Sequence, residues 1–178
     1  AGTLEHTQND AHAIGQEIRL SGDTDTLNWT VGIQYADIES ITTTATTGVW
    51  LNDNLDVHSL WFSGAALATF SATNESVAVF SDVSYDLTDQ LTVSVGARYY
   101  EDELEFNAGT TRINADFDNL SLKGSLSYAL SDQANLYFTI AEGFRSGGVN
   151  FNTDPYGPES LISYEFGGKA LLFEERLS

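Results

Sequence analysis

The side chains that could do chemistry in this 178-residue chain are charged groups that recur on one face of alternating segments. Seven basic residues are present; Arg112 and Arg176 fall in predicted connections, and the other five occupy polar positions of predicted strands. A cation and a carboxylate on neighbouring strands can form an ion pair, and a basic side chain near the rim could attract an anionic ligand. The candidates for ion pairs are Arg19, Arg98, Lys123, Glu165 and Lys169, and the candidate for ligand attraction is Arg145.

No arrangement of residues in the sequence supports catalysis. A G-x-S-x-G elbow, an H-E-x-x-H pair and a phosphate-binding glycine loop are all missing. The histidines are His6, His12 and His58, and Asp10 near the first two could complete a metal or haem site, although a solvated loop is the favoured interpretation. The acidic residues 101–105 could hold calcium, since hard cations prefer carboxylate oxygens, but a solvated loop base is again favoured. We therefore predict no enzyme, no cofactor and no metal site.

Composition narrows the function classes further. The net charge of −19 argues against nucleic acid as a partner, because phosphate binding needs a basic face. No apolar run approaches the roughly 20 residues of a membrane-spanning helix, so any membrane crossing must be made by strands. With no cysteine in the sequence, disulfides and thiolate metal sites are excluded.

Seven segments alternate apolar and polar residues with a period of two, the pattern of a strand between two different environments. The clearest covers residues 91–100, where Leu91, Val93, Val95, Ala97 and Tyr99 share one face. The predicted strands are residues 15–21, 27–38, 75–85 and 91–100, followed by segments around Leu126, Phe138 and Phe166.

The connections between these segments differ in length. Short polar turns follow the first, third, fifth and seventh segments, whereas residues 40–74 and 107–117 are predicted to be long and medium loops. The longest loop carries Trp50, Trp61 and Phe62, which could grip a ligand or pack the loop onto its neighbours. Packing is slightly favoured, and ligand contact remains an alternative.

Alternating strands with alternately short and long connections indicate an outer-membrane β-barrel whose apolar side meets lipid. The odd number of strands, against the even counts of single-chain bacterial barrels, leads us to expect a segment of a larger barrel. Two alternatives remain: a small outer-membrane porin-like or structural barrel, and a soluble β-sandwich that binds carbohydrate or protein.

A seven-residue pattern recurs along the chain. Residues 84–90 match residues 127–133, 43 positions later, as one hairpin plan used twice. In each copy a tyrosine, Tyr85 or Tyr128, closes the strand before a polar turn. The favoured interpretation is an aromatic girdle at the membrane edge, and the alternative is ordinary hairpin chemistry in a soluble sheet.

The last third of the chain resembles a known family. The residues are Gly143-Phe144-Arg145-Ser146-Gly147-Gly148-Val149-Asn150, then Pro158-Glu159, then Ser163-Tyr164-Glu165-Phe166-Gly167-Gly168-Lys169. They are similar to the barrel motifs of TonB-dependent outer-membrane receptors, with Val149 in place of the usual aromatic residue. Residues 16–20, Gln-Glu-Ile-Arg-Leu, also resemble a strand of that family.

The resemblance implies an all-β fold: a transmembrane antiparallel β-barrel of roughly 22 strands. Residues 1–178 would supply about seven to eight of those strands, all from the barrel domain, and the plug domain would be absent from this chain. Receptors of this kind bind scarce nutrients, commonly ferric siderophores, and import them with energy delivered by the TonB complex through the plug. The implied partners are outer-membrane lipid, a ferric siderophore and TonB, and the implied location is the bacterial outer membrane.

Overall fold

The computed structural model describes residues 2–49, 63–149 and 155–171, which form one antiparallel sheet of seven strands. Within these residues no helix is long and apolar enough to cross a membrane. The strands are β1 (Gly2–Asp23), β2 (Leu27–Val49), β3 (Ser63–Asp86), β4 (Leu91–Ala108), β5 (Thr111–Ser131), β6 (Ala134–Arg145) and β7 (Glu159–Ala170).

Each strand pairs with the next one in the sequence, so the sheet order is β1 to β7 without a crossover. In the described part of the chain β1 and β7 are the two edges and do not pair with each other. A β-sandwich needs two sheets packed face to face, and these residues form a single sheet. The sandwich interpretation is therefore wrong, whereas the all-β prediction of about seven antiparallel strands is confirmed.

The strands are longer than the alternation predicted. The first five contain 18 to 24 residues each, and the predicted loop of residues 40–74 is largely strand, because β2 continues to Val49 and β3 begins at Ser63. Residues 41–47, Ile-Thr-Thr-Thr-Ala-Thr-Thr, explain the error. We interpreted threonine as a loop residue, but its branched Cβ favours extended backbone.

The predicted loop of residues 107–117 is also wrong. Strands β4 and β5 are joined by two residues, Gly109 and Thr110, and Gly109 has a φ of 60°, which glycine adopts without a steric penalty. Arg112, which we expected in a connection, therefore lies on β5. A tight two-residue turn needs a positive φ, and Gly109 was the signal for it in the sequence.

Two other predicted loops are strand. Residues 101–105 belong to β4, and His6, Asp10 and His12 belong to β1. Alternation along β4 sends Glu101, Glu103 and Glu105 to one face and Asp102 to the other. The acidic run is therefore divided between two environments.

The sheet has almost no buried core among the residues whose burial is described. Ala78 is the buried apolar side chain, at 2% exposure, and Asp102 is the buried charged side chain, at 3%. Large apolar side chains are exposed along one face on every strand. A sheet of this size in water would cover such a face, so the exposed apolar face indicates a surface built for another environment.

Candidate functional site

One face of the sheet carries a continuous apolar band, here called the belt. Residues in register across five strands form a single row of it, and all are apolar or aromatic. On β4 the belt extends from Leu91 to Tyr99, which is within the 9–11 residues that a tilted strand needs to cross a bilayer. Val95 at its middle is 56% exposed. This row contains Ile18, Ile33, Val79, Tyr99 and Leu120.

Tyrosines mark both limits of the belt. Tyr85 and Tyr128 are exposed beside the short turns, and the Tyr128 hydroxyl donates to Gln90 Oε1 at 3.2 Å. At the opposite limit the Tyr99 hydroxyl donates to Glu101 Oε1 at 2.6 Å. The rings of Tyr99 and Tyr128 thus have an apolar body beside the belt and a hydroxyl on a polar group, the arrangement found at membrane interfaces.

Beyond the belt, the same face becomes acidic. Glu101 lies opposite Asp118, and Glu103 lies in register between Glu75 and Asp116. Carboxylates directly opposite each other repel, and they are tolerated only where water and ions screen them. Among the described residues no three acidic or histidine side chains form a group that could hold a metal ion.

Glu105 lies on the same acidic surface as Glu101 and Glu103, and it has a cationic partner, Arg112. Asn107 Nδ2 donates to Glu105 Oε1 at 2.9 Å, and the Arg112 guanidinium binds the other oxygen. The Asn107 hydrogen bond first, and then Arg112, hold the pKa of Glu105 below its ordinary value.

The opposite face of the sheet, the polar face, carries the predicted cations in specific contacts. Arg19 on β1 forms an ion pair with Glu17 at 2.6 Å, and its guanidinium lies 5.5 Å from the centre of the Phe80 ring. Arg98 on β4 donates to Gln34 Oε1 at 2.8 Å and lies 5.9 Å from the ring centre of Tyr100. Both arginines therefore stack on aromatic rings as well as bonding to polar groups.

The other predicted ion-pair candidates are not brought together. Glu165 accepts a hydrogen bond of 2.7 Å from the Tyr137 hydroxyl, and Lys169 lies opposite Asn135 in the ladder. Lys123 on β5 lies between Gly96 and Ala141. In the described ranges neither lysine has a carboxylate within 4 Å, so these residues do not form a ladder of ion pairs. Their role stays a prediction.

Strand β6 separates from β5 before it ends. Its pairing with β5 stops at Lys123 and Ala141, whereas its pairing with β7 continues to Arg145 and Glu159. At the next position the Glu142 carboxylate accepts the backbone N–H of Leu122 at 3.1 Å. A side chain thus satisfies the donor that the departing strand leaves behind.

The chain after this separation lies against the polar face of β4. The Phe144 ring lies 5.9 Å from the Tyr100 ring, and Ser146 Oγ lies 2.9 and 2.8 Å from the two carboxylate oxygens of Asp102. Asn74 Nδ2 on β3 donates to the same carboxylate at 3.1 Å. Residues 144–148, which we call the crossing segment, therefore bridge β6 to β4 past β5.

A cavity of about 390 Å³ lies under the crossing segment. Its lining combines a guanidinium, a carboxylate, a phenol ring, a phenyl ring and two hydroxyls. Such a mixed lining can hold a ligand that presents both polar and aromatic groups. The lining residues are Arg98, Tyr100, Ser121, Glu142, Phe144 and Ser146.

Of the predicted ligand contacts, Arg145 follows the lining residue Phe144 in the chain, and the other three lie outside the residues that the structure describes. Arg145 is 75% exposed at the end of β6, with Glu159 Oε2 at 3.9 Å from its guanidinium. Trp50, Trp61 and Phe62 lie outside the residues that the structure describes. The carboxylate of Asp102 and the hydroxyl of Ser146 were missed, because we interpreted residues 101–105 as a solvated loop. Alternation along β4 was the signal that would have placed Asp102 on the polar face.

Comparisons with known proteins agree with this architecture. Residues 2–178 match the family model described as TonB dependent receptor-like, beta-barrel. Over 114 residues the chain is 26% identical to the pesticin receptor of Yersinia enterocolitica and 25% identical to that of Yersinia pestis. These alignments cover 56% of this chain and 17% of each receptor.

Solved structures share the fold. The ferric yersiniabactin uptake receptor of Yersinia pestis superposes with a TM-score of 0.77 at 20% identity, covering 96% of this chain and 28% of that one. The alcaligin outer-membrane receptor of Bordetella pertussis gives 0.62 at 16% identity, covering 98% and 28%. The ferric-catecholate import receptor of E. coli K12 gives 0.66 at 14%, covering 97% and 30%. The chain therefore spans less than a third of the length of the proteins that it matches.

Proposed function

Because the chain belongs to the TonB-dependent receptor-like β-barrel family, we propose that it forms part of the wall of an outer-membrane receptor that imports a ferric siderophore. The match to the family model over residues 2–178 is the observation that carries this proposal. The names of the similar structures supply the ligand class: they are receptors for ferric yersiniabactin, alcaligin and ferric catecholates. Two of the three names state a ferric ligand, so a ferric chelate is the first ligand to test.

The two faces of the sheet support this placement. The belt is exposed, uncharged and bounded by tyrosines, which suits contact with the hydrocarbon of the outer membrane. The acidic surface beyond the belt would lie outside the hydrocarbon, on the side away from the turns of residues 87–90 and 132–133. The polar face, with Arg19 and Arg98, would then line the interior of the barrel.

Energy for import would come from TonB acting on a plug domain, as the family resemblance implies. A plug would meet the polar face of this sheet, where stacked arginines and hydroxyls can bond to another polar surface. The chain spans 28% of the yersiniabactin receptor, and the plug and the remaining wall would belong to the rest of the proposed complete receptor.

The proposed function can be tested with the gene product that contains this sequence, at its native length. It is expressed in a bacterial host that lacks its own ferric-siderophore receptors, and uptake of radioactive iron is measured for ferric yersiniabactin, alcaligin, catecholate and citrate complexes. We expect saturable uptake of at least one complex, and we expect that uptake to disappear in a matched host without TonB.

The host without the receptor gene is the control for background uptake, and membrane fractionation checks the location. Recovery of the protein in the outer-membrane fraction without uptake of any ferric chelate would overturn the ligand class and leave the barrel assignment standing. Recovery in a soluble fraction would overturn the membrane placement itself.

A further inference from the structure

The crossing segment is fixed to the barrel wall at one buried carboxylate. Asp102 is 3% exposed and accepts hydrogen bonds from Asn74 Nδ2 on β3 and from Ser146 Oγ. A buried carboxylate is costly unless donors satisfy it, and the donors Asn74 and Ser146 are neutral side chains from distant parts of the sequence. Removing the Ser146 hydroxyl therefore leaves the carboxylate under-satisfied and favours release of the segment.

Glycines allow the crossing segment to lie this close. A Cβ on Gly147 would lie 2.4 Å from the carbonyl oxygen of Tyr156 and 2.5 Å from the Phe117 ring on β5. Gly148 pairs with Tyr156 through two backbone hydrogen bonds, of 3.1 and 2.9 Å. The segment thus lies close to both Phe117 and Tyr156, the latter from the connection to β7.

The position of the crossing segment decides the shape of the cavity beneath it. Phe144 and Ser146 belong to the segment and line the cavity, whereas Arg98, Tyr100 and Ser121 belong to the wall. If the segment moved away from the wall, the two halves of the lining would separate. A ligand held between them would be bound only while the segment is docked.

We propose that Asp102 is a positioning residue for ligand binding: through Ser146 it holds the crossing segment in the docked position that completes the cavity. Asp102 itself does not touch the ligand. This inference rests on the proposed function, because the ligand used to test it is a ferric siderophore. The apparent Kd equals the intrinsic Kd divided by the fraction of molecules in the binding-competent state. Weakening the contact lowers that fraction and therefore raises the apparent Kd.

The experiment compares variants of the native-length receptor in detergent micelles. Asp102→Ala and Ser146→Ala remove the contact. Asp102→Asn and Ser146→Thr conserve it, because an amide at position 102 can accept from Asn74 and donate to the hydroxyl. Ser84→Ala is the matched control, since it removes another serine hydrogen bond on the polar face, to Ser94 at 2.8 Å, away from the crossing segment.

Two readouts are measured on each variant. The first is the Kd for the ferric complex that the wild type imports. The second is the mobility of a spin label on Gly157→Cys, with any other cysteine replaced; a Cβ at Gly157 meets nothing within 4 Å, so a label fits there. We expect Asp102→Ala and Ser146→Ala to raise the Kd about tenfold and to mobilise the label, while Asp102→Asn, Ser146→Thr and Ser84→Ala stay close to wild type.

The alternative outcomes separate the two proposals. An unchanged Kd in Asp102→Ala and Ser146→Ala, with tight binding by the wild type, would overturn the positioning role and leave the proposed function intact. A label that stays immobile in those variants, or a Kd raised equally by Ser84→Ala, would overturn it too. If the wild type binds none of the ferric complexes, the proposed function fails, and this inference fails with it.

Discussion

Strand β4 contains two regions with the same backbone and different chemistry. In residues 91–99 every second side chain is apolar, with Val95 and Tyr99 exposed, and in residues 101–105 the same alternate positions are glutamates. Hydrogen bonding to β3 and β5 continues through both regions without a register shift. The change from valine to glutamate therefore reflects a change of solvent and not a change of structure.

The opposite face of these two regions differs as well. Beside the belt it carries small or separately stacked groups, such as Ser94 and Arg98. Beyond the belt it carries the buried Asp102 and the crossing segment packed over it. The half of the strand that carries the belt is thus exposed on its belt side, and the distal half is covered on its polar face. The belt and the candidate ligand site occupy different lengths of the same strands.

The largest expected effect comes from placing a charge in the belt. Val95→Arg should lower the free energy of unfolding from a bilayer by about 2–4 kcal/mol, because an arginine side chain at the membrane midplane loses its hydration. The measurement is guanidinium unfolding of the native-length receptor in lipid vesicles, followed by intrinsic fluorescence.

Substitution by arginine at two other positions of β4 provides the controls for Val95→Arg. Glu103→Arg lies on the same face beyond the belt and should be mild, since water solvates that position. Ser94→Arg lies next to Val95 on the polar face and should be mild in a wide lumen. Equal losses at positions 94, 95 and 103 would contradict the difference between the two regions and, with it, the lipid-facing belt.

A smaller effect is expected from crowding the polar face. A Cβ on Gly32 would lie 2.3 Å from the tip of the Phe80 ring, which also carries the Arg19 guanidinium. Gly32→Ala should therefore cost about 1–2 kcal/mol, because the ring must move and the stacked arginine with it. The measurement is the same unfolding assay. Gly15→Ala on β1 is the control, since a Cβ there meets nothing within 4 Å, and equal costs at the two glycines would argue against a packed polar face.

At the edge of the belt the expected effect is smaller again. Tyr128→Ala should lower the free energy of unfolding in vesicles by about 0.5–1 kcal/mol, because it removes a ring that lies at the predicted interface. Tyr128→Phe keeps the ring and loses only the hydrogen bond to Gln90, so it should retain most of the stability. A phenylalanine variant as weak as the alanine variant would assign the stability to the hydroxyl and remove the support for an aromatic girdle.

The sequence predicted the belt half of the molecule better than the distal half. One face of residues 91–99 is apolar and the other polar, so these residues show a strict period of two. Beyond the belt both faces carry polar residues, and the alternation disappears from the sequence while the backbone remains extended. That is why residues 41–47 and 101–105 were taken for loops although they belong to β2 and β4.

The candidate site was predicted only in part. Arg98 was identified as an ion-pair candidate and Arg145 as a ligand candidate, because both are cations at polar positions of recognisable strands; Arg98 lines the cavity, and Arg145 does not. The contact between Asp102 and Ser146 joins residues 44 positions apart and depends on β6 leaving β5 after Ala141. Pairing rules from one sequence do not say where a strand separates from its neighbour, so this contact required the three-dimensional structure.

The smallest expected effect is a pH dependence confined to the acidic surface. Hydrogen bonds from Asn107 and Arg112 lower the pKa of Glu105 in the folded protein, so the folded state resists protonation more than the unfolded state does. The stabilisation is therefore complete above the unfolded pKa and is lost as the pH falls through the folded pKa. The difference in apparent Tm between wild type and Glu105→Gln should be constant above the ordinary pKa of a glutamate and vanish as the pH falls through the lowered pKa of Glu105. The difference in Tm should be small, because the pair is exposed and screened by salt.

Glu103→Gln is the control on the same face. A Glu105→Gln difference that grew on acidification would require a Glu105 pKa above its ordinary value, and it would place this surface in a less polar environment than water.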